Sequence, residues 1–171
     1  MTRLGDESPA APPSAASRDR RRAVFFDVEN ASRVQHVASM LGYLGLPDGG
    51  RTRVAAIGNW RVVSVEAGDL LSRAGAELVH SAPAVGVKDW SDLRIAVDAG
   101  RWLGEARAGD VLEIVSNDQA FDAVGDVAAT RGVLFRRLSF RGLAERGEVR
   151  AVGSRSRRTT RARGKRARPR R

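Results

Sequence analysis

The sequence predicts a doubly wound α/β domain, a mostly parallel five-stranded sheet with helices on both faces, flanked by disordered N- and C-terminal tails. Three observations carry this reading. Segments of strand and helix character alternate with short connections, and that alternation closes into parallel strands joined by crossover helices. The stretch AVFFDVEN, Ala23 to Asn30, runs apolar residues straight into Asp27, and near-continuous apolar strands belong at the centre of a parallel sheet, where helices cover both faces. The length of 171 residues suits one domain plus tails and is enough to bury a proper core.

Residues 1–21 are rich in Pro, Ala, Ser and charge without periodicity and read as a disordered tail. The folded domain is placed at residues 22–141, and its first strand ends at Asp27. Residues 31–46 carry Val34, Val37, Ala38, Leu41 and Leu44 at helical spacing, and PDGG at Pro47 to Gly50 stops that helix. Arg53 to Asn59 (RVAAIGN) reads as the second strand, Arg61 to Ala74 as a weaker helix ended by Gly75, and Ala76 to Ala82 (AELVHSA) as the third strand. Asp89 to Ala106 is the strongest helix, with Leu93, Ala96, Val97 and Leu103 on one face. Val111 to Asp118 (VLEIVSND) gives the fourth strand, Gln119 to Thr130 a helix closed by Gly132, and Val133 to Phe140 the fifth strand. Residues 142–153 extend the domain or begin the tail, and residues 154–171 form a basic, disordered tail.

Composition bounds the chemistry. With no Cys, disulfides, thiolate metal sites and Cys nucleophiles are excluded, and a reducing cytoplasm is compatible. The N-terminus lacks the apolar core of about 7–15 residues that a signal peptide needs, and no membrane span is visible, so a cytoplasmic location is expected. The net charge of +10 is concentrated from Ser154 onward, where ten Arg and Lys stand with no acid among them. Such a tail is either a solvated segment or a tether for a polyanion, ordered only on its partner. The oligomeric state is not legible.

The unusual residue types collect where this fold places a site, outside the carboxyl ends of the strands. The chain has three Asn, and Asn30, Asn59 and Asn117 each fall at the end of a predicted strand. Lys88 and Lys165 are the only lysines in a chain with 30 Lys plus Arg, and Lys88 sits just before the strongest helix. Asp27 ends the first strand, Asp118 the fourth, Asp122 follows one helical turn later and Asp92 lies in the first turn of the third helix. Carboxylates brought together repel one another unless a cation joins them. With only oxygen donors on hand the ion would be hard, Mg²⁺ or Mn²⁺, and such an ion activates water for phosphodiester hydrolysis. The plainer reading makes Asp89 and Asp118 N-caps, worth about 0.5–2 kcal/mol each, and Asp92 and Asp122 first-turn acids that favour the helix dipole. Glu29 reads as a solvated flank and Asp98 as an acid that supports the site from behind or is structural, while Trp60 and Trp90 are packing residues or base-stacking ones.

At these residues the chain resembles the NYN domain family, PIN-like metal-dependent ribonucleases that include the LabA-like bacterial branch. The matching segments are VFFDVEN, IGNW at Ile57 to Trp60, KDWSDLRIAVDA at Lys88 to Ala99 and VSNDQAFDAV at Val115 to Val124. The resemblance implies a PIN-like fold, a Mg²⁺ or Mn²⁺ site, RNA as substrate, Asp27, Asp92 and Asp118 as metal-binding acids, and Asn30 as a polar group of the site. Where many NYN domains carry an acid two residues after the one matching Asp118, this chain has Ala120. The run instead resembles the SND-x-x-x-D pattern of Regnase-type domains, which makes Asp122 the fourth acid. Asn59, Lys88 and Asn117 are the further substrate-binding candidates. The competing reading is a noncatalytic RNA-binding or ribosome-associated adaptor with a degenerate site; a receiver-type phosphotransferase fits the Asp and Lys placement poorly.

Overall fold

The computed structural model describes residues 20–30, 33–46, 52–83 and 87–139. The expected N-terminal tail, apart from its last two residues, the extension at 142–153 and the basic tail at 154–171 lie outside the described residues. Among the described residues five strands are formed: β1 (Arg22–Asp27), β2 (Thr52–Gly58), β3 (Glu77–His80), β4 (Val111–Val115) and β5 (Leu134–Leu138). Four helices accompany them: α1 (Val34–Leu44), α2 (Val65–Arg73), α3 (Trp90–Glu105) and α4 (Asp122–Thr130), the last preceded by a 3-10 turn at Gln119–Phe121.

All five strands are parallel, in the order β3-β2-β1-β4-β5. The chain winds outward from β1 through β2 to β3, then returns to place β4 on the other side of β1. That reversal puts a topological switch point between β1 and β4, where open α/β sheets form their ligand crevice.

The two faces of β1 explain why it must be central. Val24, Phe26 and Val28 pack with Val37, Met40 and Leu44 of α1 and Ala67 and Leu71 of α2. Ala23 and Phe25 pack on the opposite side with Ile95, Ala99, Trp102 and Leu103 of α3 and Ala128 of α4. Both faces being apolar, every side chain from Ala23 to Phe26 is fully buried. Burying such a side chain contributes about 1.5–3 kcal/mol, so an edge position for this strand would forfeit much of the core.

Local signals set the helix limits. Gly45 adopts a left-handed conformation, φ 49°, and closes α1 through its N–H to the Leu41 carbonyl. Ser64 caps α2 by accepting the Ala67 N–H at 3.2 Å, so this helix begins at Val65 and not at Arg61.

The inward face of α3 differs from the expected one. Ile95, Ala99, Trp102 and Leu103 are buried, whereas Leu93 and Val97 are each 60% exposed. Leu93 and Val97 stand at helical spacing on the outward side as Ile95, Ala99 and Leu103 do on the inward one, so spacing alone did not orient the helix. Asp98 is buried and held by Arg94 and Arg101 of its own helix.

Candidate functional site

Asp27 is the last residue of β1 and is completely buried. Strand alternation sends its side chain to the α3 side of the sheet, the side of Ala23 and Phe25. Its Oδ2 accepts hydrogen bonds from the Ser116 hydroxyl at 2.8 Å and from the Asn30 side-chain amide, and its Oδ1 accepts the Asn30 N–H at 3.3 Å. Burial pushes the Asp27 pKa up, opposed by these hydrogen bonds and reinforced by the nearby charge of Glu29.

Ser116 follows β4 and links its two neighbours across the switch point. While donating to Asp27 it accepts the Asp118 N–H at 3.1 Å. Asp118 in turn accepts the Ala120 N–H at 2.8 Å and caps the 3-10 turn, so the capping role open to it in the sequence is the one it performs.

Asp92 stands in the first turn of α3, half-buried. Its pKa is raised to about 6, first by burial and then by the negative charges of Asp27, Asp118, Asp89 and Glu29. The charges of Asp27 and Asp118 thus act on Asp92 at the carboxyl edge of the sheet. Asp89 caps nothing with its side chain; it takes a left-handed conformation at φ 59° and adds its charge to the group. Glu29 is more than a solvated flank, because its Oε1 accepts the Asn59 N–H at 2.9 Å. Gly58 permits this turn: a Cβ there would come within 2.7 Å of Val28 Cγ2.

The other predicted site residues have partners of their own or stand in solvent. Asp122 is engaged by Arg137 of β5, with Nε to Oδ1 at 2.8 Å, and its charge is directed to that partner. The physical reason is that Asp118 is extended, φ -76° and ψ 124°, and precedes a 3-10 turn, so the α-helical spacing of four residues that would stack Asp122 above it does not hold. Asn59 accepts the Arg61 N–H at 3.1 Å, and Asn117 accepts the Ser139 hydroxyl at 2.8 Å. Both shape loops at the carboxyl edge. Lys88 is exposed in the turn before α3. Trp60 packs against the core of the α1 and α2 side with its indole N–H on the Val79 carbonyl at 3.0 Å, while Trp90 is 44% exposed.

Among the described residues no three His, Asp or Glu side chains are arranged to hold a metal ion as they stand. The chemistry of the donor set nevertheless suits a hard divalent cation: carboxylate oxygens only, with one acid driven toward neutrality by burial and then by its acidic neighbours. Ser116, which joins Asp27 to Asp118, is the residue of this cluster that sequence patterns passed over. Its only signal was its place just after a buried strand. Among the described residues no helix is long and apolar enough to cross a membrane. No family model matches the chain, and no curated protein matches it significantly.

Proposed function

We propose that the chain is a metal-dependent ribonuclease whose site is the acidic edge formed by Asp27, Asp92 and Asp118. The observation that supports this best is the fully buried Asp27 at the end of the central strand, with Asp92 beside it under the charges of Asp27 and Asp118. Keeping a carboxylate at such a place is costly unless it has a task or a counter-ion. A Mg²⁺ or Mn²⁺ held by these acids would supply Lewis acidity toward a phosphodiester and a more acidic water. Ser116 and Asn30 orient the Asp27 carboxylate, and Asp118 fixes the turn that carries its own side chain. The ten unopposed positive charges after Ser154 suit a nucleic acid, and the resemblance to NYN domains makes RNA the substrate we propose.

A second reading, a noncatalytic RNA-binding adaptor, is favoured by Asp118 acting as a cap, Asp122 being paired with Arg137, and Ala120 standing in place of an acid. One experiment separates the two. Melting curves of wild type, Asp27→Asn and Asp118→Asn with and without Mn²⁺ are set beside cleavage of a single-stranded RNA. A ribonuclease shows a Mn²⁺-dependent rise in Tm that both variants lose, because a ligand bound only by the folded state stabilises it, together with a loss of cleavage of orders of magnitude. RNA binding without a metal shift or cleavage in the wild type establishes the adaptor.

A further inference from the structure

We infer that Trp60, Arg61, Leu78 and His80 form a subsite that holds an unpaired nucleobase of single-stranded RNA beside the acidic edge. This subsite rests on RNA as the substrate proposed above, but not on cleavage. The four residues line an open cleft of about 520 Å³, within the roughly 300–1,000 Å³ of small-molecule sites. It lies at the carboxyl ends of β2 and β3, where Gly58 stands in register with His80. Leu78 and His80 alternate with Val79, which packs on the α3 side, so the cleft opens on the α2 side.

The cleft combines a fixed aromatic ring, an apolar wall and nitrogen donors. The Trp60 indole is tied by its N–H to the Val79 carbonyl at 3.0 Å, and a Cβ added at Gly68 of α2 would lie 3.5 Å from its ring. A ring held in this way loses little freedom when a base stacks on it. His80 accepts the Trp60 N–H on Nδ1 at 3.3 Å, which leaves Nε2 as the donor of the neutral ring. Leu78, 43% exposed on the edge strand, supplies the apolar wall. Among the described residues the Arg61 guanidinium meets no carboxylate, so its charge is available to a phosphate. Packing accounts for the side of Trp60 that meets the core. It does not account for an arginine, a histidine and an exposed leucine gathered around the same ring, whereas an unpaired base stacked there does.

Glu29 joins the cleft to the acids. Its Oε1 accepts the N–H of Asn59, the residue before Trp60, and its charge bears on both Asp27 and Asp92. Asp27 is in register with Ile57, and Ile57 with Val79, so at about 4.8 Å per strand spacing the end of β3 lies roughly 10 Å from Asp27 along the edge. A strand of RNA with one base in the cleft crosses the edge at Asn59 and brings its backbone to the acids. Carboxylates repel a phosphodiester until a cation joins them, so a hold on a neighbouring base keeps the strand in place.

Binding of the full chain in EDTA, where metal-dependent cleavage cannot intervene, is read by fluorescence anisotropy. The probes are a single-stranded RNA of about twelve nucleotides and the same backbone with abasic sites. The basic tail meets the phosphates of both, so the ratio of affinities isolates the bases. The wild type should prefer the base-bearing strand about tenfold or more. Trp60→Ala should erase that preference, and because this ring also packs inward, Leu78→Glu at an exposed position is the second variant. It should bring the preference below about threefold with Tm unchanged. A strand carrying 5-iodouridine should crosslink on irradiation to tryptic peptide 54–61 or 74–88, which contain Trp60 and His80. Equal affinity for the two strands, a preference indifferent to both variants, or adducts confined to peptide 89–94, which contains Trp90, overturns the subsite and leaves RNA as the substrate. Binding of neither strand removes the RNA reading itself, and the subsite with it.

Discussion

Ser116 donates its hydroxyl to Asp27 at 2.8 Å across the junction of β1 and β4 while holding the N–H of Asp118. One buried hydroxyl thus sets both the carboxylate of the central strand and the turn that presents the next acid. Replacing Ser116 with Ala removes a donor from a buried acceptor, and should lower stability by about 1–3 kcal/mol. It should also raise the Asp27 pKa further, since the Ser116 bond is one of the influences holding it down. Urea unfolding and carboxyl-carbon titration of Asp27 measure the two effects. An unmoved Asp27 titration would show that the bond does not bear on its charge.

Asp92 links the site to pH. Its folded pKa of about 6 lies above the ordinary 3.8, so the native state binds this proton more tightly than the unfolded chain. Its stabilising contribution is full below the ordinary value and is lost as pH rises through about 6. In metal-free buffer, Asp92→Asn should therefore gain on the wild type as pH rises from about 4 to about 6.5. Parallel Tm profiles for the two proteins would refute the shift.

Asp110 has the opposite sign. It is buried, which opposes ionisation, but the N–H groups of Arg107 at 2.9 Å and Arg21 at 3.0 Å and the Arg21 guanidinium outweigh this and hold its pKa below the usual carboxylate value. Its contribution is present above the ordinary value near 3.8 and is lost as pH falls below it. Asp110→Ala should lower stability at neutral pH by about 1–3 kcal/mol, and the deficit should shrink on acidification. A deficit constant from neutral to acid pH would remove the charge from the account.

The end of β1 was legible because a buried strand writes its own limit, an apolar run stopping where Asp27 reaches the edge, whereas β4 ends at Val115, three residues before the expected Asp118. β1 at the centre followed from apolar residues at both parities, which only two covered faces tolerate. The inward face of α3 was not legible, because Leu93 and Val97 match a 3.6-residue period as well as Ile95, Ala99 and Leu103 do. Ser116 was hidden for another reason. Its value lies in the register that sets Phe26 beside Val115 and so brings the ends of two strands together, and a contact of sequence separation 89 leaves no local pattern. Asp89 misled in a similar way, since an Asp before a helix suggests a cap, while its left-handed backbone leaves the side chain without that bond.

Asp118 and Asp122 test how many acids the site uses, because the structure gives them different partners. Asp122 is bound to Arg137 with 60% of its side chain exposed, so the pair is screened and Asp122→Ala should cost under about 1 kcal/mol. Asp118→Ala removes the bond to the Ala120 N–H and should cost about 0.5–2 kcal/mol. Asp118→Asn retains an acceptor for that N–H and relieves repulsion on Asp92, so it should leave metal-free stability unchanged or higher. If the ion is held by Asp27, Asp92 and Asp118, the Mn²⁺-dependent rise in Tm should survive Asp122→Ala and vanish in both Asp118 variants. Loss of that rise in Asp122→Ala would mean that Arg137 releases Asp122 when the ion binds, and the three-acid site would have to be redrawn with four.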